Sequence, residues 1–171
     1  MRLHRTLALI AGALGALAAL TDYRLPTTDN RAIAIAIARE QDHVTALELA
    51  QWIRDRKPSL RILDLRNADA FDAYHVPTSE RVAIESLASM DFGPHETVVL
   101  ISDGGTHAGQ AWVLLATRGV RNAFFLRGGM SEWIEDVMSP AKSSDLTNYF
   151  GGVPRGNARP VDASAIRRRG C

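Results

Sequence analysis

The residues Thr97–Gly119, TVVLISDGGTHAGQAWVLLATRG, carry the clearest structural signal in the chain. They predict a buried strand, Val98–Ile101, then a short glycine-rich loop, Ser102–His107, and an apolar helix from about Ala108. A loop between a strand and a helix N-terminus presents backbone N–H groups together with the positive end of the helix dipole. Since Ser102 stands at the strand end, the sequence predicts an anion-binding cradle around a serine.

The composition is that of a globular protein. The chain has 171 residues, of which 46% are hydrophobic, and its formal net charge is +1. This length favours a single domain, and the near-zero charge gives no indication of nucleic-acid binding. The only cysteine is Cys171, which excludes an intrachain disulfide and every cysteine-based metal cluster. We predict no metal and no cofactor.

Residues 1–23 have the pattern of an export signal. Arg2 and Arg5 precede an uncharged run rich in Leu and Ala, Thr6–Thr21. As a helix, this run would be shorter than a hydrocarbon core of roughly 30 Å. The basic start and the small residues favour a signal peptide cleaved near Ala18 or Ala19. An uncleaved membrane anchor and a buried helix of the domain are the alternatives. We expect a protein that is exported, either periplasmic or anchored in a membrane and facing the periplasm.

Three further segments follow. Residues 24–43 are predicted to be a linker with a possible first strand, because Ile and Ala alternate with period two in Arg31–Arg39. A continuation of the N-terminal helix is the alternative there. Residues 44–139 alternate short apolar runs with helical patterns, which favours an α/β domain with a parallel sheet. Residues 140–171, rich in Gly, Pro, Ser and Arg, are predicted to be a loosely structured tail.

Within residues 44–139 the patterns predict individual elements. A capping box formed by Thr45 and Glu48 predicts the start of the first helix. The other predicted elements are a strand at Leu60–Leu65, a helix at Ala68–Tyr74, a strand at Arg81–Ile84, a short helix at Glu85–Met90, a strand at Ala123–Leu126 and a helix through Trp133.

Four stretches of the chain resemble the rhodanese-like domain family. They are VTALELAQWI, ILDLRNADAFDAYHVP, VVLISDGGTHAGQAWVLL and GVRNAFFLRGGMSEW, which cover residues 44–53, 62–77, 98–115 and 119–133. Each stretch is weak evidence alone, and their order and spacing carry the resemblance. It implies an α/β, rhodanese-like three-layer fold, with a small parallel sheet and helices on both faces.

The resemblance also implies a sulfurtransferase architecture. In active members a cysteine thiolate at the strand end takes up a sulfane sulfur as a persulfide, while loop amides and usually an arginine hold the negative charge. Aligned by strand and helix, the cysteine position falls on Ser102. A position that is frequently basic falls on Asp103, and a position that is often arginine falls on His107. A serine cannot form a persulfide, so the resemblance implies that the ordinary reaction is lost.

We therefore predict no catalytic residue, but a ligand-binding loop that consists of Ser102, Asp103, Gly104, Gly105, Thr106, His107 and Ala108. The secondary candidates are Asp64, Arg66, Arg127, Gly128 and Cys171. Asp64 and Arg66 are expected to form a structural ion pair in preference to a substrate contact. Arg127 and Gly128 follow a strand, on the side where parallel sheets place their sites.

Two classes of function follow from these residues. The favoured one is a non-catalytic module that binds a small anion or a protein partner outside the cytoplasm. The alternative is a sulfurtransferase or sulfur carrier that uses an external thiol or Cys171, whose pKa the neighbouring Arg167–Arg169 would lower. An intermolecular disulfide is another predicted use of Cys171. A hydrolytic triad of Ser102, His107 and Asp103 is disfavoured, because the serine and the aspartate are neighbours in a tight loop.

Overall fold

The computed structural model describes residues 29–139 and 144–152. The predicted export signal, and Cys171 with the arginines before it, lie outside the described residues. Within the described part of the chain, no helix combines the length and the apolar character that crossing a bilayer requires.

Five parallel strands form one sheet. In chain order they are β1 (His43–Val44), β2 (Leu60–Asp64), β3 (Ser79–Arg81), β4 (Thr97–Ile101) and β5 (Ala123–Leu126). Across the sheet the order is β1-β5-β4-β2-β3, and every pairing is parallel. Asp64 at the end of β2 lies opposite Ile101 at the end of β4. The strands therefore end together at one edge, and the predicted parallel α/β sheet is confirmed.

Helices cover both faces of the sheet. They are α1 (Asn30–Ala38), α2 (Ala46–Arg54), α3 (Ala68–Ala73), α4 (Thr106–Thr117), α5 (Gly129–Asp136) and α6 (Ser144–Phe150), with a 3-10 helix at Ile84–Ala88. Residues of α2, α5 and α6 share one hydrophobic cluster with the sheet, and residues of α1, α4 and the 3-10 helix share the other. The architecture is the predicted three-layer fold.

The central strand shows why the apolar run of β4 is continuous. Val99 and Ile101 lie in the cluster with α2 and α5, whereas Val98 and Leu100 lie in the cluster with α4. All four side chains are fully buried. A strand covered on both faces has no polar side, so its sequence does not alternate.

The predicted capping box starts α2. Glu48 donates its backbone N–H to the Thr45 hydroxyl at 3.2 Å, and the Thr45 N–H donates to Glu48 Oε2 at 2.9 Å. The Thr45 hydroxyl also donates to Glu48 Oε2, at 2.8 Å. The two hydrogen bonds that the Glu48 carboxylate accepts from the Thr45 N–H and hydroxyl lower its pKa, since they favour the ionised form.

The strand predicted within Arg31–Arg39 is wrong, because this segment is helix α1. The Asp29 side chain accepts a hydrogen bond from the Ala32 N–H and caps the helix. Ile33 and Ala36, three residues apart, pack against the core, so burial follows the helical period and not the alternation of Ile with Ala. The predicted linker accordingly contains a helix of nine residues.

Other boundaries differ from the predictions. The two-residue strand β1 is not among the predicted elements, β3 begins two residues before the predicted strand and overlaps it at Arg81, and α4 begins at Thr106 instead of Ala108. The predicted loose tail is also wrong in part, because it contains α6. Leu146 and Phe150 of α6 pack on the core, and the Thr147 hydroxyl donates to Val137 O at 2.8 Å.

Candidate functional site

The candidate site lies where the central strands end. Asp64, Ser102 and Arg127 stand at or directly after the carboxyl ends of β2, β4 and β5, which are neighbours in the sheet. Parallel α/β sheets place their ligand sites at this edge, since the loops that lead into the helices gather there. The predicted primary loop and four of the five secondary candidates are therefore brought to one edge of the domain.

Ser102 is buried at the centre of this edge. Its side chain follows the last residue of β4 and is 4% exposed. The Ser102 hydroxyl accepts a hydrogen bond from the backbone N–H of Ala108 at 3.2 Å. The loop therefore closes around Ser102, and we call the enclosed backbone Ser102–Ala108 the cradle.

The cradle is held from behind by the start of α5. The carbonyl of Ser102 accepts from the Met130 N–H at 3.0 Å, and the carbonyl of Asp103 accepts from the Ser131 N–H at 3.2 Å. The Ser131 hydroxyl also donates to Asp103 O, at 3.2 Å. In a planar trans peptide the carbonyl and the following N–H point in opposite directions. The N–H groups of Asp103 and Gly104 therefore point away from α5.

Two glycines make this close approach possible. Gly129 has a φ of 58°, and a Cβ there would overlap the Ser102 carbonyl oxygen and lie 2.7 Å from Gly105 N. Gly105 has a φ of 87°, and its Cβ would lie 3.1 Å from Gly128 N. Both conformations favour glycine. The two loops are packed backbone to backbone, and side chains at Gly105 and Gly129 would force them apart.

The first turn of α4 offers free donors to the cradle. Its N-cap residue is Gly105, which has no side chain to cap the helix. Ala108 N–H is taken by Ser102, but the N–H groups of Thr106 and His107 have no acceptor among the described residues. The first turn contains no acidic residue. Two N–H groups and the positive helix end are thus available to an acceptor from outside.

The charged side chains of the loop do not assemble a catalytic triad. Asp103 and His107 are exposed, and within the described part of the chain the Ser102 hydroxyl bonds neither of them. The hydrolytic arrangement that the residue types suggested is therefore not formed. The described residues also contain no cluster of acidic, histidine or cysteine side chains fit to hold a metal ion.

The arginine after β5 is engaged by a carboxylate. Arg127 Nη2 lies 3.2 Å from Glu132 Oε1, and about half of the Arg127 side chain is exposed. Gly128 follows with a φ of 65° and caps α5. The positive charge of Arg127 is thus partly neutralised before any ligand arrives.

Asp64 and Arg66 form the predicted ion pair. Asp64 is fully buried, and the Arg66 guanidinium bonds both of its oxygens, at 2.9 Å from Nε to Oδ1 and 2.6 Å from Nη2 to Oδ2. Arg66 Nη2 also donates to Tyr74 O at 2.7 Å. Because the Arg66 guanidinium donates to both Asp64 and the Tyr74 carbonyl, the ion pair connects β2 to the end of α3.

The residues that sequence reasoning missed are those of the supporting segment. Met130 and Ser131 hold the loop carbonyls, and neither was a predicted site residue. The sequence feature that points to this segment is the glycine pair Gly128-Gly129 ahead of Trp133, which indicates a tight turn. It does not reveal that the turn packs against a loop 26 residues earlier.

Comparisons with known proteins agree with this architecture. A family model described as the Rhodanese-like domain matches residues 45–136. The rhodanese-like domain of an Anabaena sp. protein, solved by NMR, is 21% identical over 70% of this chain and 85% of its own, with a TM-score of 0.51. A rhodanese-related protein from Thermoplasma volcanium is 21% identical over 54% of this chain and 90% of its own, with a TM-score of 0.47.

A rhodanese-like domain protein from Staphylococcus aureus is also 21% identical over 54% of this chain and 90% of its own, with a TM-score of 0.49. A comparison with curated proteins finds no significant match. At these identities the structural likeness concerns the fold. The family model covers more than half of the 171 residues, and the chain belongs to the rhodanese-like domain family.

Proposed function

We propose that this chain is a non-catalytic rhodanese-like protein, in which Ser102 stands at the position of the family's cysteine and the cradle binds a small anion or an acceptor group of a protein partner. The observation that supports this most directly is the buried Ser102 hydroxyl, bonded to Ala108 N–H at 3.2 Å at the carboxyl end of β4. The resemblance implies a sulfur at this position, and the Ser102 hydroxyl serves there as a hydrogen-bond acceptor.

The chemistry of a serine argues against sulfur transfer at this position. A serine hydroxyl becomes a useful nucleophile only beside a general base, and only a thiol can carry a persulfide. Asp103 would repel a dianionic donor such as thiosulfate, and the nearby Arg127 and Arg66 are paired with carboxylates. The cradle thus keeps backbone donors while lacking both the nucleophile and a free cation.

The free donors support binding. The N–H groups of Thr106 and His107 have no acceptor within the described residues, and they lie at the positive end of a helix of twelve residues. Such N–H groups bind phosphate, sulfate or carboxylate oxygens. Because the cradle lacks a free arginine, we expect weaker binding than in a site that pairs the anion with a guanidinium.

The proposed location is outside the cytoplasm. It is supported by the sequence of residues 1–23, with Arg2 and Arg5 ahead of the uncharged run Thr6–Thr21. Intact-mass measurement on protein from its native host tests this location. A cleaved N-terminus near Ala18, or a full-length chain in the membrane fraction, supports it. A full-length chain in the cytosolic fraction would overturn it.

Binding is tested by titrating ¹⁵N-labelled protein with sulfite, thiosulfate and phosphate. We expect the amide signals of Gly104–Ala108 to shift, while those of Thr117 at the other end of α4 stay unchanged. Gly104→Glu should abolish the shifts, because it adds a carboxylate where a Cβ meets no atom within 4 Å. Gly93→Glu, in an exposed loop at the opposite edge, is the matched control. The small-anion form of the proposal fails if none of the three anions shifts these amides.

The non-catalytic part of the proposal has its own assay. We expect no thiocyanate from thiosulfate and cyanide with the full chain, and no change on Cys171→Ser. Thiocyanate formation that Cys171→Ser removes would establish the alternative, a sulfurtransferase that uses the C-terminal thiol.

A further inference from the structure

Helix α1 is only loosely covered by the domain. It precedes the residues 45–136 that match the family, and none of its residues is buried. Ile33 and Ala36 pack against the cluster that contains Trp112 of α4. Ile35 and Ile37 are 40% and 49% exposed. A helix of nine residues therefore leaves two large aliphatic side chains exposed to solvent.

The exposed side of α1 is apolar and basic. At about 100° per residue, Ile35 projects from the side of the helix opposite Ile33, which faces α4. Arg31 and Arg39 lie about 40° on either side of Ile35, whereas Ile37 lies about 40° from Ile33, on the opposite side. We call Arg31, Ile35 and Arg39 the outer face of α1. Helix α1 contains no acidic residue, and neither arginine pairs with a carboxylate among the described residues.

The helix enters the domain at the edge opposite the cradle. Asp29, its N-cap, borders a groove of about 440 Å³ that is also lined by Gln41, Arg118, Arg121 and Ala123. Gln41 lies before β1, Arg118 and Arg121 lie before β5, and Ala123 is the first residue of β5, so the groove is at the amino ends of these strands. Arg118 and Arg121 have no carboxylate partner in the part of the chain that the structure describes. The amino edge therefore adds two basic side chains beside the start of α1.

The sequence that leads into α1 indicates what covers its outer face. The uncharged run Thr6–Thr21 ends eight residues before Asp29. A short connection of this kind keeps α1 close to whatever surface holds the run. We propose that the outer face of α1 lies on a bilayer surface that carries anionic headgroups, with the cradle directed away from the membrane.

Hydrophobic burial and electrostatic attraction both favour this placement. A helix that presents one isoleucine between two arginines gains from burying the aliphatic group at the headgroup boundary and from the attraction of the arginines to anionic lipid. The arginines lie at the two ends of the helix, where their long side chains reach the headgroups, while Ile35 points into the bilayer. The proposal rests on the anchored form of the proposed location and is independent of what the cradle binds.

The test measures depth in the membrane with the full chain. In the Cys171→Ser background, Ile35→Cys is labelled with an environment-sensitive fluorophore, and Asp69→Cys on α3, at the cradle edge, is the control. The protein is reconstituted into vesicles of phosphatidylethanolamine and phosphatidylglycerol that contain a lipid with a doxyl quencher near its headgroup. We expect the label at position 35 to lose roughly half of its fluorescence, since an interfacial helix lies about 5–10 Å into the boundary. The label at position 69 should lose little.

A charge reversal separates the two contributions. Arg31→Glu with Arg39→Glu should reduce the quenching at position 35, because the anionic lipid then repels the helix. Arg56→Glu with Arg81→Glu, at exposed positions away from α1, is the matched control and should leave the quenching unchanged.

The outcomes distinguish the proposals. Vesicle flotation with equal quenching at positions 35 and 69 would overturn the placement of α1 while leaving the anchor intact. Failure of the full chain to float with vesicles would overturn the anchor and the placement together. Neither outcome bears on anion binding by the cradle, which the amide shifts measure separately.

Discussion

The hydroxyl of Ser102 accepts a hydrogen bond from the backbone N–H of Ala108 at 3.2 Å, so a side chain at the end of β4 caps the first turn of α4. Both residues are buried, and Gly105 at the N-cap position offers no side chain of its own. The bond therefore performs the task of an N-cap residue from six residues away. Ser102 has a structural role whatever the cradle binds.

This bond predicts the effect of Ser102→Ala. The variant leaves the Ala108 N–H without its acceptor in a buried setting, and we expect the free energy of unfolding to fall by about 1–2 kcal/mol. Urea denaturation measures the loss. Ser89→Ala, which removes an exposed hydroxyl, is the control and should change the stability by less than about 0.5 kcal/mol. Equal stability of Ser102→Ala and the unaltered chain would contradict the capping role.

The contact between the two loops predicts a difference between two glycines. Gly129→Ala places a Cβ against the Ser102 carbonyl at a φ of 58°, and we expect a loss of roughly 2 kcal/mol or more. At Gly104 a Cβ would meet no atom within 4 Å, so Gly104→Ala should cost little. Thermal unfolding of the two variants in parallel measures the difference. Similar melting temperatures would mean that the loops can separate without cost.

The buried ion pair predicts a strong effect of Asp64→Asn. The variant removes the charge that balances Arg66, whose side chain is 8% exposed, and we expect a loss of about 3–5 kcal/mol. Asp55→Asn is the control, because Asp55 forms an exposed pair with Arg54 and such pairs contribute up to about 1 kcal/mol. Urea denaturation compares the two. Equal, small losses would show that water or another group replaces the Asp64 charge.

The capping box predicts a dependence of stability on pH. Hydrogen bonds from Thr45 lower the pKa of Glu48 below its ordinary 4.5. A carboxyl with a lowered folded-state pKa stabilises the fold fully above the unfolded value and loses this contribution as the pH falls through the folded value. Glu48→Gln keeps the hydrogen bonds of the box without the titration. Its melting temperature should therefore fall less than that of the unaltered chain between pH 6 and pH 3.

The control for the pH experiment is Glu85→Gln, which removes a carboxyl in the first turn of the 3-10 helix. It should follow the pH profile of the unaltered chain. If Glu48→Gln does the same, the lowered pKa of Glu48 has no measurable effect on stability.

The fold could be predicted where a local sequence pattern indicates burial or the start of a helix. β4 is covered on both faces, and its run of Val and Leu shows this directly. Thr45 and Glu48 predicted the start of α2 because a capping box is a local arrangement. In α1 the alternation of Ile with Ala gave the wrong period. Only Ile33 and Ala36 are used for packing, and alanine forms helices well when a cap such as Asp29 is present.

The rest depended on contacts between residues far apart in the chain. The sequence of α6 contains few apolar residues. The helix is held on the domain by a long-range contact, in which Phe150 packs against Trp133 with ring centroids 5.2 Å apart. The sequence identifies Arg127 as a secondary site candidate, because it directly follows a strand. The Arg127 charge is shared with Glu132, which only the turn at Gly128 and Gly129 places within reach. Partners of charged side chains in loops are set by tertiary structure, and no local pattern predicts them.

The last prediction concerns what a thiol would do in the cradle. In the Cys171→Ser background, Ser102→Cys places one thiol beside the free N–H groups of Thr106 and His107. These donors and the helix end favour the thiolate, and the Asp103 carboxylate next to it opposes ionisation. Adding Asp103→Lys should therefore lower the pKa of the thiol and increase its rate of alkylation by iodoacetamide at pH 7. Asp91→Lys makes the same charge change at the opposite edge and should leave the rate nearly unchanged. Equal rates with lysine at position 103 or at position 91 would show that Asp103 has no influence on the cradle. A faster reaction with lysine at position 103 alone would show that the charge at position 103 controls the ionisation of a thiol at the end of β4.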